Sequence, residues 1–395
     1  MSRLRFPDPA ALAAAGVFLL CWALVHRWFW GAHQIVDWPT YQNYGDAIVK
    51  GHEVPYRDFA LEYPPAALIV FALPAYFAHY ASAFSFEMAV CGAALVLVVG
   101  ALRRAALPFV AVSPLLIGSM VFSRFDLWPA LLVAASLLAL VRGRDDLGWA
   151  LLGVAVAAKL WPLALVPLAL GWSWRRGRRN AELAGVATCA VFFLPFVVLA
   201  PHGLWASLHG EADRPLQVES LGAAIAMAVS HPHVISTHGS QNLAGYGWLA
   251  ALLALATVAM LVTLWVRFWR GALSEPRFLR YCAAAVCTIV AFGKVLSPQF
   301  LVWLVPVVPL VRGRRGLVAT LILGLALAST LVWFPNRYYA YVFTGHLAWL
   351  VVARDLMLVA ILLVLALPTR QPTEPMPEAA PELAPRRKIP VATLD

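Results

Sequence analysis

Apolar residues in this chain come in long blocks separated by polar breaks, not in the strict alternation of half-buried strands. Blocks near the length of a bilayer-crossing helix fall at Pro9–Val25, Pro64–Tyr80, Phe84–Leu102, Ala105–Phe122, Leu127–Val141 and Leu147–Trp174. They continue at Ala184–Ala200, Trp248–Val266, Tyr281–Val295, Gln299–Val311, Leu317–Trp333 and Leu347–Leu367. The pattern predicts an all-α, polytopic transmembrane helical bundle over residues 1–367, with about twelve spans by simple alternation. About ten or eleven remain open, because the stretch between 103 and 175 can be threaded in more than one way. In the alternating reading Pro9–Val25 runs outward, Pro64–Tyr80 returns and Phe84–Leu102 runs outward again. Leu147–Trp174 is also a candidate re-entrant pair, since Lys159 and Pro162 divide it into two short halves.

Two breaks are too long to be simple turns. The first, Gly31–Pro65, holds Asp37, Asp46, Glu53, Asp58 and Glu62, a quarter of the chain's 20 acids, together with Trp38, Tyr41, Tyr44, Tyr56 and Tyr63. Within it Trp38, Tyr41, Tyr44/Gly45 and Ile48 recur at helical spacing, Pro39 suits a first turn and Gly51 a stop. This predicts a short amphipathic helix on the outer surface. The second, Pro201–Tyr246, encloses a short apolar helix at Leu221–Val229. The tail, residues 368–395, is rich in Pro, Glu and Ala and reads as a disordered cytoplasmic linker.

The composition, 62% hydrophobic and 13% charged, belongs in lipid. The net charge of +10 is gathered at Arg103-Arg104, Arg142–Arg144, Arg175–Arg179 and Arg312–Arg315, between apolar runs. Such clusters anchor cytoplasmic loops and do not form a nucleic-acid face. With Arg3 and Arg5 they place both termini in the cytoplasm. Alternation nevertheless puts Arg103-Arg104 and Arg142–Arg144 outside, against the same rule. The first run lacks a small-residue cleavage site before Trp28-Phe29-Trp30 and is expected to stay as a span. The five cysteines lie in apolar runs without a CxxC pair, as small core residues.

No nucleotide-phosphate loop, dinucleotide fingerprint, zinc-protease helix or nucleophile elbow is present. What remains are ionisable residues at membrane depth or its outer edge: Asp37, Asp58, Arg124, Asp126, Lys159, Lys294 and Arg337. A charge in hydrocarbon costs at least ~2.5 kcal/mol, so such groups face a cavity, a partner or a substrate. Asp37 stands where the first span meets the surface helix, either as a helix-capping acid or as a general base. Asp58 either pairs with Arg57 or joins a site. Arg124 and Asp126 form either a polar turn or part of a site. Lys159 either snorkels or binds a phosphate, and Lys294, ahead of Ser297-Pro298-Gln299, either anchors at the interface or serves a ligand. His231-Pro-His233 is a weak metal pattern among scattered loop histidines.

Several motifs, in order, resemble glycosyltransferase family 87, the polyprenyl-phosphate-sugar-dependent, mannosyltransferase-like membrane enzymes. They are Asp37 with Tyr41, Gly51…Pro55-Tyr56…Asp58, Tyr63-Pro64-Pro65, Arg124-Phe125-Asp126, Lys159-Leu160-Trp161-Pro162, Glu219-Ser220-Leu221 and Lys294…Ser297-Pro298-Gln299-Phe300…Trp303…Pro306. The chain departs from the family at Ser123-Arg124, where a Gly-Gln pair is common, and at Val218-Glu219-Ser220. The resemblance implies a C-type glycosyltransferase fold and a plasma-membrane enzyme acting at the extracytoplasmic face. It would move mannose or a similar sugar from a polyprenyl-phosphate donor to a lipid or glycan acceptor, with inversion. Asp37 would be the base, and Tyr41, Asp58, Arg124, Asp126, Lys159, Lys294, Gln299 and Arg337 would bind donor phosphate or substrate, with no cofactor or metal required. The rival functions are a transporter or flippase of a lipid-linked sugar, which would tolerate loss of Asp37, and a non-catalytic envelope-assembly protein, for which no outer-loop residue need be essential.

Overall fold

The computed structural model describes residues 8–29 and 35–367; the tail beyond 367 and the start of the first outer loop lie outside the described residues. The first helix, α1 (Pro9–Phe29), is followed by α2 (Trp38–Val49), the expected surface helix, with Pro39 in its first turn. It is less superficial than its pattern suggests. Tyr41 is fully buried, stacked on Phe71 with 4.4 Å between centroids and flanked by Tyr63, Phe84 and Phe125.

Pro64–Tyr80 is not a span. It forms two 3₁₀ turns, Pro65–Ala67 and Leu73–Tyr76, around α3 (Leu68–Ala72), and it packs along α2. Twelve residues broken by proline are too few to cross. Chain direction therefore reverses in α4 (Tyr80–Leu102), which runs antiparallel to α1: Gly100 meets Ala11 and Gly92 meets Phe18. The end of α4 thus returns to the start of α1, where Arg104 pairs with Asp8.

This reversal resolves the charge conflict. From α5 (Leu107–Ile117) and α6 (Met120–Ser123) the chain passes Arg124 and turns back in α7 (Leu127–Val141). Then α8 (Asp145–Ala158) rises to Lys159, and a 3₁₀ turn with α9 (Val166–Trp174) descends, so Leu147–Trp174 is indeed a hairpin. Arg142 reaches the carbonyl of Ala101, Arg176 pairs with Asp145 at 3.5 Å, and Arg103 donates to Pro309 at 2.8 Å. The basic clusters share one end of the bundle.

After α10 (Glu182–Leu199) the second outer segment folds as α11 (Pro201–Asp213), α12 (Leu221–Val229) and a small antiparallel sheet that the block pattern does not announce. Its strands are β1 (Leu216–Gln217), β2 (Val234–Thr237) and β3 (Ser240–Leu243), ordered β1-β3-β2 with Ile235 opposite Asn242. The β2–β3 turn uses His238 and Gly239, both at positive φ, as a tight hairpin requires. The chain continues through α13 (Gly247–Arg270) and α14 (Glu275–Phe292), the 3₁₀ turns Pro298–Leu304 and Val308–Leu310, α15 (Gly313–Trp333), α16 (Tyr338–Thr344) and α17 (Ala348–Ala366).

Six described helices are long and apolar enough to cross a membrane, and shorter apolar elements are packed among them. This is a multi-pass membrane protein. The length difference shapes the site. At ~1.5 Å per residue, α8 with 14 residues is about 21 Å long and α13 with 24 is about 36 Å. The tops of the short rods form a floor sunk below the ends of the long ones.

Candidate active site

The sunken floor opens into a cavity of about 630 Å³ at the end opposite the basic clusters. Its floor comes from Arg124, Lys159, Trp161, Phe300 and Trp303, one wall from Asp37 and the Glu62–Pro64 turn, and the other from α11 and β1. Along α13 it descends past Ala254, Thr257 and Val258. Val258 is 57% exposed, so the cavity opens sideways onto the apolar flank of the bundle as well as upward.

Asp37 precedes α2, and its Oδ2 accepts a hydrogen bond from the Tyr41 hydroxyl at 3.3 Å and forms an ion pair with Arg124. Arg124 sits in the non-helical step between α6 and α7. It is almost wholly buried, and its second amino group donates to the carbonyl of Ile35 at 3.0 Å. Two residues on, Asp126 is buried behind the floor. Its Oδ1 accepts from Lys159 Nζ at 2.7 Å and from the Trp303 indole at 2.6 Å. The rings of Phe125, Phe300 and Trp303 surround the ammonium at 4.6, 5.4 and 5.2 Å. Lys159 is thus held by one carboxylate and an aromatic cage while it still faces the cavity.

The structure separates the other predicted residues. Lys294 and Gln299 line the cavity, but Lys294 Nζ donates to the carbonyl of Ala212 at 2.6 Å and so caps the end of α11. Tyr41 lies behind Asp37 rather than in the lining. Asp58 is half-exposed in a neighbouring groove, bonded to Arg57 at 2.8 Å and to the Val54 N–H at 2.7 Å; Arg57 holds its carboxyl down near 2. Its place is that of the turn-forming partner. Arg337 is exposed and does not line the cavity.

Other lining groups are not singled out as site residues by the sequence: Glu62, read there only as a loop acid, Glu219, read only as part of the Glu219-Ser220-Leu221 motif, and Glu211, Arg214, Gln217 and Tyr338. Burial raises the Glu211 carboxyl, opposed by Arg214. Burial also pushes the Glu219 carboxyl up to about 7, opposed by the neighbouring polar groups of Tyr338 and Gln217 and the field of Arg354. Arg354 and Asp355, fully buried in α17 and 2.7 Å apart, were equally missed, although a charged pair inside an apolar run is visible to a scan of Leu347–Leu367.

Four carboxylates (Asp37, Glu62, Glu211, Glu219) and four cations (Arg124, Lys159, Arg214, Lys294) therefore share one recess in the lining. The recess lies within a multi-pass membrane protein. A model of glycosyltransferase family 87 matches residues 61–298, more than half of the chain. The chain belongs to that family and is a membrane glycosyltransferase. The match covers Arg124, Asp126, Lys159 and Lys294 and leaves out Asp37, Tyr41, Asp58, Gln299 and Arg337. The crystal structure of ArnT from Cupriavidus metallidurans bound to undecaprenyl phosphate is similar at a TM-score of 0.47 and 15% identity, over 89% of this chain and 76% of that one. No curated protein matches the chain.

Proposed function

We propose that the protein transfers a sugar, mannose or a related hexose, from a polyprenyl-phosphate carrier to a hydroxyl of a lipid or glycan acceptor. The reaction takes place at the extracytoplasmic face of the plasma membrane, with the basic end of the bundle and both termini in the cytoplasm. The observation that carries this reading is the meeting of Asp37, Arg124 and Lys159 in one cavity that also opens sideways along α13. An apolar carrier tail fits the flank of α13, and its phosphate then lies at the level of Arg124 and Lys159.

The chemistry follows from the charges. An acceptor hydroxyl attacks the anomeric carbon from the face opposite the phosphate. The bond from that carbon to the phosphate oxygen breaks, the polyprenyl phosphate leaves, and the hydroxyl proton passes to Asp37. Inversion results. A carboxylate ion-paired to arginine is a weak base, so the resting Asp37–Arg124 pair needs to loosen. An incoming phosphodiester competes for Arg124, whose planar fork suits it. Donor binding then both neutralises the leaving group and frees the base.

Single-turnover transfer by the purified protein, with polyprenyl-phosphate sugars as donors, tests the reading. Asp37→Asn keeps the size but not the basicity, and transfer should fall by about 10²–10⁴-fold while donor binding persists. Asp58→Asn should transfer near the wild-type rate. Near-normal transfer by Asp37→Asn would remove Asp37 from the chemistry.

A further inference from the structure

The wall facing the floor is the segment Gln217–Ser220, and its backbone is tightly held. Gln217 N–H donates to the carbonyl of Lys294 at 3.0 Å and Val218 N–H to that of Gln241 at 3.1 Å. The Tyr341 hydroxyl donates to the Val218 carbonyl, and Arg354 Nη2 donates to the Glu219 carbonyl at 3.0 Å. Ser220 folds back onto the carbonyl of Gln217 through its N–H at 3.0 Å and its hydroxyl at 2.8 Å. Arg354 itself is fully buried, paired with Asp355 and 5.5 Å from the centre of the Trp333 ring. A charge placed at that depth marks a functional support.

Two side-chain oxygens on this rigid segment are left over. Gln217 Oε1 and Glu219 Oε2 have no hydrogen-bond partner among the described residues, although the two side chains are only 4% and 2% exposed. Both residues line the cavity. Buried acceptors of this kind require a donor. A phosphodiester offers only acceptors, whereas a sugar ring offers several hydroxyls. Glu219 and Tyr338 lie within electrostatic reach of Arg124, where the donor phosphate is placed. Neither Gln217 nor Glu219 lines the neighbouring groove between Tyr56–Glu62 and α11, which meets the cavity at Glu62, Ser207, Glu211 and Arg214 and is the route assigned here to the acceptor. Their place is therefore beside the donor sugar, not along the acceptor's approach.

We propose that Gln217 and Glu219 read the hydroxyls of the donor's sugar, and that Glu219 sets which sugar is accepted. The inference rests on the proposed donor class. Its test is binding of undecaprenyl phosphate without sugar, and of its mannosyl, glucosyl and galactosyl forms, to the full chain in lipid nanodiscs. The wild type should bind one sugar-bearing carrier more tightly than the others and than the bare carrier. Glu219→Gln should bind the bare carrier as the wild type does, which also shows that it is folded, and should lose about 10- to 100-fold of the preference. Glu219→Asp should keep part of it. Gln217→Met, which leaves the carboxylate in place, should show a smaller loss. An unchanged preference in Glu219→Gln overturns the role of Glu219 while the donor class stands, whether or not acceptor KM changes. A wild type that prefers no sugar-bearing carrier to the bare one overturns the donor class and this inference with it.

Discussion

Lys159 shows how far a single residue can be read without its neighbours. Its position in the middle of an apolar run marks it as unusual, and its type suggests phosphate binding. Nothing in the sequence says that its counter-charge is Asp126, 33 positions earlier, or that Phe125, Phe300 and Trp303 enclose it. That pairing exists only because two short rods end at the same height. It also changes what a substitution does. Asp126 is 1% exposed, so Lys159→Met removes both the cation proposed to hold the donor phosphate and the partner of a buried carboxylate. Breaking such a pair costs roughly 3–5 kcal/mol. Lys159→Met should lower the melting temperature in detergent well below that of the wild type, and Lys159→Met/Asp126→Asn should recover much of the loss. Equal melting of Lys159→Met and the wild type would show that Lys159 contributes nothing to the bundle. Asp58 and Arg337 illustrate the opposite limit. Both look like site residues by type and place, but Asp58 is satisfied locally by Arg57 and Val54, and Arg337 faces outward.

At the scale of elements, periodicity located α2 correctly because its buried face follows the helical repeat. It failed next door, where Pro64–Tyr80 is apolar enough for lipid but packs one side against protein and leaves Ile69, Leu73, Tyr76 and Phe77 exposed. Apolar length alone does not distinguish these two burials; Pro65 and Pro74 were the available warning. The join between α2 and α3 is close-packed at Gly45. A Cβ on Gly45 would lie 2.2 Å from the carbonyl oxygen of Phe71. Gly45→Ala must therefore push α2 away from α3 and carry Asp37 with it, a change typically worth about 1–3 kcal/mol. Gly16→Ala, with nothing within 4 Å of the added carbon, is the matched control. Thermal melting and transfer rate should both fall in Gly45→Ala and stay near the wild-type values in Gly16→Ala. Normal transfer in a well-folded Gly45→Ala would show that the α2–α3 contact does not position the base.

For the molecule as a whole, the apolar blocks announced a helical membrane bundle and their order announced the family. The threading between residues 64 and 175 was hidden because a block has no direction; only contacts such as Gly100 with Ala11 supply it. Once α4 is reversed, the basic clusters fall at one end and the polar cavity at the other, as the positive-inside tendency asks. In cells expressing variants without the native cysteines, Cys placed at Gly210 or His231 should react with an impermeant thiol reagent. Cys placed at Arg178 or Arg314 should not, and labelling there from outside would invert the orientation. The central claim is that one phosphate-bearing donor binds above Arg124 and Lys159 and takes Arg124 from Asp37. A structure of the protein with a bound polyprenyl-phosphate sugar tests it most directly. The account predicts the phosphate within hydrogen-bonding distance of both Arg124 and Lys159, the carrier tail along α13, and Asp37 separated from Arg124 and facing the anomeric carbon. A phosphate bound elsewhere, with the Asp37–Arg124 pair intact, would contradict it.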